Sequence, residues 1–102
     1  MADCFVSTSD AETFSYAICE ATIAGLPIIQ SDIMGTMWNA DNLSTFLFHK
    51  GDVEDLTATM KRYMEKATKE LQEACDETRK NNLERYSMEA WCNRILRFYA
   101  EL

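Results

Sequence analysis

The chain has 102 residues, which suits one small domain, and its 47% hydrophobic and 11% aromatic content is enough for a packed core. A formal net charge of -7 leaves no basic surface to neutralise phosphates, and this argues against a general nucleic-acid-binding protein. No apolar run approaches the roughly 20 residues that a transmembrane helix needs, and the first residues do not resemble a signal peptide. We therefore expect a soluble, cytoplasmic protein.

The four cysteines are widely spaced along the chain, at Cys4, Cys19, Cys75 and Cys92. They form no C-x-x-C pair, and His49 is the single histidine, so the sequence predicts no metal site. Each cysteine lies among apolar residues, and we expect all four to be small buried hydrophobes in a reducing compartment. A catalytic thiol is the alternative, and no other feature of the sequence favours it.

The first half of the chain predicts a strand, a helix and a second strand. Residues 4–8 are β-prone and lead into polar residues 9–12, and residues 13–24 predict a helix that is apolar on nearly every side. Gly25 occupies the position where a left-handed residue commonly ends a helix, and residues 26–29 begin a buried strand that ends within residues 30–32. Such a unit has two parallel strands joined by a right-handed crossover.

The second half predicts one more strand, at residues 45–48, followed by helices. Asp52 is a suitable N-cap for a helix whose apolar face contains Leu56, Met60, Tyr63, Met64 and Ala67. A second helix runs through Leu71, Ala74, Cys75 and Thr78. Ser87 caps a third, whose wide apolar stripe is expected to pack against a large neighbouring surface and contains Met88, Trp91, Cys92, Ile95, Leu96 and Tyr99.

These elements predict an α/β fold: a single partial domain over residues 1–102, with a partial Rossmann-like arrangement of about three parallel strands and C-terminal helices. Residues 4–52 contain the strand-helix-strand-strand part, and residues 53–102 are helical.

Glu20 is unusual because it lies in the middle of a helix that is expected to be buried on all faces. A buried carboxylate needs partners or becomes neutral. One interpretation is that a neighbouring loop or a basic side chain supplies hydrogen bonds to Glu20. The other is that Glu20 binds a ligand, since one carboxylate accepts hydrogen bonds from both hydroxyls of a ribose diol.

Glu12 is predicted to lie in the turn at the carboxyl end of a parallel strand, just before a helix begins. Ligands of open α/β sheets bind at that edge, and the backbone amides from Phe14 to Tyr16 are placed to bind a phosphate at the helix N-terminus. The alternative is that Glu12 is a solvated surface group or a helix cap.

Three segments carry a resemblance to a known family: SDAETFSYAICEA (residues 9–21), AGLPII (residues 24–29) and SD (residues 31–32). They resemble the E-x7-E region of family 4 glycosyltransferases, the glycosyl transferases group 1, which have the GT-B fold. Residues 51–52 and 85–91 are similar to two further segments of that family. The two glycines that flank the family's phenylalanine are Thr13 and Ser15 here, and Gly35 alone aligns with a later glycine-rich loop of the family.

The resemblance implies the C-terminal, donor-binding half-domain of a retaining enzyme that transfers a hexosyl group from a nucleotide-diphosphate sugar to a glycan or lipid acceptor. It makes Glu12 the catalytic residue beside the donor sugar, and it assigns Glu20 to the ribose. The amides of Thr13, Phe14, Ser15 and Tyr16 would bind the diphosphate, and no metal or other cofactor is implied.

The resemblance also implies that the acceptor-binding N-terminal domain and the first three strands of the donor domain are missing, so this fragment should be inactive alone. Residues 4–8 would then form an exposed sheet edge, and we expect a homodimer through that edge or the uncovered apolar surface beside it. The rival interpretation is a non-catalytic α/β interaction module. A purely helical partner-binding protein based on residues 53–102 leaves the first half unexplained.

Overall fold

Strands and helices alternate through the first half of the chain, and three helices follow. A computed structural model describes residues 3–101; residues 1, 2 and 102, the ends of the predicted domain, lie outside the described part. In chain order the elements are β1 (Phe5–Ser7), α1 (Tyr16–Ile23), β2 (Ile28–Ser31), the 3₁₀ helix (Met34–Asn39), β3 (Thr45–Phe48), α2 (Val53–Glu65), α3 (Thr68–Tyr86) and α4 (Met88–Ala100).

The sheet has the order β1-β2-β3, and both strand pairs are parallel. Phe5 is paired with Ile28, and Ile28 in turn with Thr45. All four residues of the central strand β2 are buried, and β1 lies at an edge. The predicted α/β fold, with three parallel strands and C-terminal helices, is confirmed.

Helix α1 differs from the prediction at its start and in its burial. It begins at Tyr16 and not at residue 13, because Ser15 is the N-cap and its hydroxyl accepts a 3.3 Å hydrogen bond from the Ile18 amide. The predicted burial on every side is wrong: one face packs against the sheet and α3, while Ala17 and Glu20 are exposed. The helix ends as predicted, with Gly25 at a φ of 87°.

Helix α2 packs against β3 with polar as well as apolar side chains. Asp52 caps α2 as predicted, accepting a 2.9 Å hydrogen bond from the Asp55 amide. The predicted apolar face of α2 is partly wrong, because Met60 and Met64 are exposed and the buried residue is Thr59. The Thr59 hydroxyl donates to the Leu47 carbonyl of β3 at 3.2 Å, so a polar contact replaces the expected methionine packing.

Helix α3 packs along α1, and its predicted buried residues Ala74, Cys75 and Thr78 are buried. Two long-range hydrogen bonds join the helices: the Asn82 amide donates to the Thr22 hydroxyl at 2.7 Å, and Arg79 donates to the Ile23 carbonyl at 2.8 Å. The second bond satisfies a carbonyl at the C-terminal end of α1, where helix carbonyls lack partners within the helix.

Helix α4 begins as predicted, since the Ser87 hydroxyl accepts a 3.1 Å hydrogen bond from the Ala90 amide. None of its residues is buried, however: α3 contacts α4, but every residue of the stripe that was expected to pack against a large surface is exposed. Cys92, on this helix, is exposed, and the expectation of four buried cysteines is therefore wrong. None of the described helices is both long enough and apolar enough to cross a membrane.

Candidate functional site

The loop between β1 and α1 places Glu12 at the carboxyl end of an edge strand, beside the central strand β2. The Glu12 side chain is exposed and accepts a 3.2 Å hydrogen bond from the Ser9 hydroxyl. Ser31, the last residue of β2, donates its hydroxyl to the Ser9 carbonyl at 2.7 Å. The two strands therefore fix the loop, and through Ser9 they fix the position of the Glu12 carboxylate.

Gly35 of the 3₁₀ helix packs directly against the Glu12 backbone. A Cβ atom at position 35 would overlap the Glu12 carbonyl group and lie 2.9 Å from the Glu12 Cβ. Gly35 does not have a positive φ, so glycine is required here for the close approach of two backbones. Gly35 aligned with a family glycine in the sequence, but the sequence did not indicate its contact with Glu12.

A network of buried polar side chains holds the 3₁₀ helix in place behind Gly35. The Gln30 amide donates to the Thr36 carbonyl at 2.8 Å, and the Asn39 amide donates to the Gln30 side-chain oxygen at 3.1 Å. The Thr36 hydroxyl donates to the Ser31 carbonyl at 3.0 Å. Gln30, Thr36 and Asn39 are completely buried, and no buried side-chain polar atom of residues 3–101 lacks a partner. A satisfied network of this kind fixes one arrangement of the loop.

An aromatic cluster formed by Phe14, Trp38 and Tyr86 joins the loop to the 3₁₀ helix and to the end of α3. The rings of Phe14 and Trp38 are stacked, with centroids 4.6 Å apart, and the Tyr86 ring lies 5.4 Å from Phe14 and 5.0 Å from Trp38. The Trp38 indole donates to the Gly35 carbonyl at 3.0 Å. Phe14, whose expected role involved only its backbone amide, thus anchors the loop with its ring.

The four residues expected to bind a diphosphate lie around the start of α1. Thr13 and Phe14 precede the helix, Ser15 is its buried N-cap, and Tyr16 is its exposed first residue. The Ile18 amide is already bound by the Ser15 hydroxyl, so it is not part of the candidate site. The positive end of the α1 dipole points toward the loop that contains Glu12.

Glu20 lies four residues after Tyr16 and therefore on the same face of α1. This face is exposed, so the expectation that Glu20 is a buried carboxylate in need of partners is wrong. The prediction failed because alanines make the exposed face look apolar, although exposing the small alanine side chain to water costs little free energy. The ligand interpretation of Glu20 now depends on its spacing from Glu12 and on its accessibility.

An open cavity of about 440 Å³ adjoins the loop on the side of α4. Its lining is mostly aromatic and apolar, with one cationic side chain, and comprises Phe14, Tyr16, Cys19, Tyr86, Ser87, Met88, Trp91 and Arg94. Among residues 3–101, no group of three or more His, Cys, Asp or Glu side chains is placed to hold a metal ion.

His49 and Asp32 form an exposed pair at the carboxyl ends of β3 and β2. His49 Nδ1 lies 2.9 Å from the Asp32 carboxylate, which also accepts a 2.8 Å hydrogen bond from the Lys50 amide. The hydrogen bond to Asp32, together with the negative charges of Asp32 and Asp55, raises the pKa of His49 above its usual 6.5. The same pairing, with the Lys50 amide, lowers the pKa of Asp32.

This pair predicts a pH-dependent contribution to stability. The pair needs a protonated His49 and an ionised Asp32, so its contribution is largest at mildly acidic pH, below about pH 6.5 but above the lowered pKa of Asp32, and it is lost as the pH rises through the raised pKa of His49. We expect the difference in Tm between the wild type and His49→Gln to be largest at mildly acidic pH and to shrink as the pH rises. Asp32→Asn should remove the same dependence, and a difference in Tm that does not change with pH would contradict the assignment.

Neither a curated protein nor a solved structure matches the chain in comparisons with known proteins. A family model described as "Glycosyl transferases group 1" matches residues 1–82. The match includes β1, α1 and both glutamates, whereas residues 85–91, which also resemble the family, lie beyond it. The parallel strand-helix-strand arrangement around Glu12 agrees with the match, which spans most of the sequence, and the chain therefore belongs to the glycosyl transferases group 1 family.

Proposed function

We propose that this chain is the donor-binding part of a retaining family 4 glycosyltransferase with the GT-B fold. In this proposal a hexosyl group passes from a nucleotide-diphosphate sugar to a glycan or lipid acceptor. The observation that carries the proposal is the β1–α1 loop, in which Ser9 and Gly35 fix Glu12 at the carboxyl edge of a parallel sheet. That edge is where α/β proteins bind their ligands.

The two glutamates of the E-x7-E segment and the amides of residues 13–16 each have a part in the proposed mechanism. Glu12 lies beside the donor sugar and the phosphate bond that breaks, and its hydrogen bond from Ser9 orients it there. The amides of residues 13–16 stabilise the negative charge that develops on the departing diphosphate, assisted by the α1 dipole. Glu20, exposed on the same helix, binds the ribose hydroxyls. This mechanism uses no metal and no other cofactor.

Charge limits how tightly this chain alone binds a donor. The diphosphate meets backbone amides close to two carboxylates, on a chain of net charge -7. We expect calorimetry with UDP-sugars and GDP-sugars to detect weak binding or none, and we expect no turnover by this chain alone. Micromolar affinity would contradict the predicted weakness.

The second candidate function is a non-catalytic α/β interaction module, and the exposed apolar face of α4 favours it. The two candidates differ in the coding sequence that each requires. A reading frame that continues some 200 or more residues upstream of Met1 supports the enzyme, because that length accommodates a second domain. A start codon at Met1 without an upstream frame supports the module.

We also propose a cytoplasmic location and a homodimer. The described strand order leaves one edge of β1 unpaired, and Val6 on that strand is exposed. Unpaired strand edges can pair with another chain. β1 contains only three residues, however, so its edge offers few hydrogen bonds to a partner.

A further inference from the structure

The Asp32 junction, formed by Asp32, His49 and Lys50, joins the segment after β2 to the turn after β3. The Asp32 carboxylate accepts a 2.8 Å hydrogen bond from the Lys50 amide and lies 2.9 Å from His49 Nδ1. The Asp32 amide donates to the Phe48 carbonyl at 3.0 Å, so the ladder between the two strands continues up to the junction. Because a backbone amide donates at every pH, the contact with His49 is the part of the junction that titrates.

Three carboxylates lie around His49. Asp32 faces it from the segment after β2, and the charges of Asp52 and Asp55 act on it from the start of α2. Asp55 also accepts a 2.6 Å hydrogen bond from the His49 amide. Lys50, the next residue in the chain, adds a positive charge. A protonated His49 offsets the negative charge around it, whereas a neutral imidazole can keep the Nδ1 hydrogen bond but no longer offsets that charge.

The hydroxyl of Ser31 connects the Asp32 junction to the loop that carries Glu12. Ser31 immediately precedes Asp32 and is buried, and its hydroxyl donates to the Ser9 carbonyl at 2.7 Å. Ser9 in turn donates its side-chain hydroxyl to the Glu12 carboxylate at 3.2 Å. Two hydrogen bonds therefore link the residue next to the junction to the side chain of Glu12.

A second connection runs through the 3₁₀ helix, which begins shortly after Asp32. Gly35 of this helix packs so closely against the Glu12 backbone that a Cβ atom would overlap the Glu12 carbonyl group. The Thr36 hydroxyl donates to the carbonyls of both residues that flank Asp32, at 3.0 Å each. Closely packed groups transmit a displacement because they leave no space to absorb it, so a shift of Asp32 moves this helix against Glu12.

We propose that the Asp32 junction is a pH-dependent support of the Glu12 loop, residues 8–15, and that protonation of His49 holds this loop more tightly. When His49 loses its proton, the loop moves more freely. The inference rests on the proposed function only in treating the loop as part of a donor site, since the support itself is a property of the free chain. Where the loop binds a donor, the same protonation strengthens binding, because a larger fraction of the chain has the binding-competent loop.

A nuclear magnetic resonance pH titration of the ¹⁵N-labelled chain, without any donor, tests this proposal. His49 is the single histidine of the chain, and histidine is the side chain that ordinarily changes charge between about pH 6 and about pH 8.5. In the wild type, the amides of residues 8–15 and of Gly35 should shift with the midpoint of His49, which lies above the usual pKa of 6.5. The order parameters of residues 8–15 should be lower at the upper end of this range. His49→Gln should abolish both changes.

Asp32→Asn separates the proposed support from a direct effect of the His49 charge. This variant keeps a titrating His49 but removes its charged partner, so the loop amides should no longer follow the titration, and the pKa of His49 should fall back toward its usual 6.5. Glu70→Gln is the matched control, because it breaks another exposed ion pair, Lys66–Glu70, and should leave the loop titration unchanged.

Loop amides that do not follow His49 in the wild type, or that still follow it in Asp32→Asn, would overturn the proposal. Order parameters of the loop that do not change with pH would overturn it as well. Because no donor is present in this titration, its result is independent of whether the chain binds a nucleotide sugar, and the two proposals can fail separately.

Discussion

Replacing Gly35 by alanine is expected to destabilise the protein by about 3 kcal/mol, the upper end of the range for overpacking a core, and to displace the loop that carries Glu12. The new methyl group overlaps the Glu12 carbonyl, and a backbone group cannot move aside as a flexible side chain can. The buried bonds of Gln30 and Thr36 prevent the 3₁₀ helix from retreating, so the Glu12 loop must move.

Chemical denaturation measures the loss of stability, and hydrogen exchange at residues 9–15 measures the displacement of the loop. Gly25→Ala is the matched control, because a Cβ at that position meets no atom within 4 Å. The Gly25→Ala variant should lose only about 1 kcal/mol of stability, because alanine is disfavoured at a positive φ, and hydrogen exchange in the Glu12 loop should be unchanged. Equal losses in the two variants would contradict the proposed backbone contact.

Trp38→Ala is expected to cost about 3 kcal/mol or more, within the range for removing a large packed aromatic side chain. The substitution removes the stacking partner of Phe14, the edge contact with Tyr86 and the indole hydrogen bond to Gly35. We therefore expect the loop that contains Glu12 to lose its aromatic anchor as well as its support from the 3₁₀ helix.

Urea denaturation gives the free energy of unfolding of this variant, and near-ultraviolet circular dichroism reports on the aromatic cluster. Tyr16→Ala is the control: its ring also touches Phe14, but it is 74% exposed, and its removal should cost about 1 kcal/mol or less. If the Trp38 variant were as stable as the Tyr16 variant, the cluster would not anchor the loop.

Local patterns in the sequence predicted the fold well, because each depends on residues close together in the chain. The alternation of apolar segments indicated the three parallel strands. The two N-caps, Asp52 and Ser87, were each predicted from a single side chain that can accept a hydrogen bond from a helix amide. Gly25 was predicted in the same way, because a left-handed residue commonly follows a helix.

The burial of α1 was mispredicted because composition does not specify which side of a helix another element covers. Ala17 made the side that carries Glu20 look apolar, although this face is exposed. The apolar stripe on α4 was predicted correctly, but an apolar stripe on one helix does not specify which surface the helix packs against. For the same reason, Cys92 is exposed although its neighbours are apolar.

The contacts that fix the candidate site could not be predicted, since they join residues far apart in the sequence. Gly35 supports Glu12 across 23 positions, and Tyr86 reaches Phe14 from the end of α3. The buried role of Gln30 was also missed, because a polar residue at the end of a strand usually signals the start of a loop. The sequence suggested which residues form the candidate site, but it did not indicate which contacts hold them in place.

The central claim is that the Glu12 loop and the start of α1 bind a nucleotide-diphosphate sugar. A nuclear magnetic resonance titration of the ¹⁵N-labelled chain with UDP-sugars and GDP-sugars at millimolar concentration tests it most directly, because this method detects weak binding residue by residue. We predict that the largest shifts occur at the amides of residues 13–16 and around Glu20, and that Glu20→Gln reduces them. Shifts confined to other parts of the chain, or none at all with every donor, would contradict the claim.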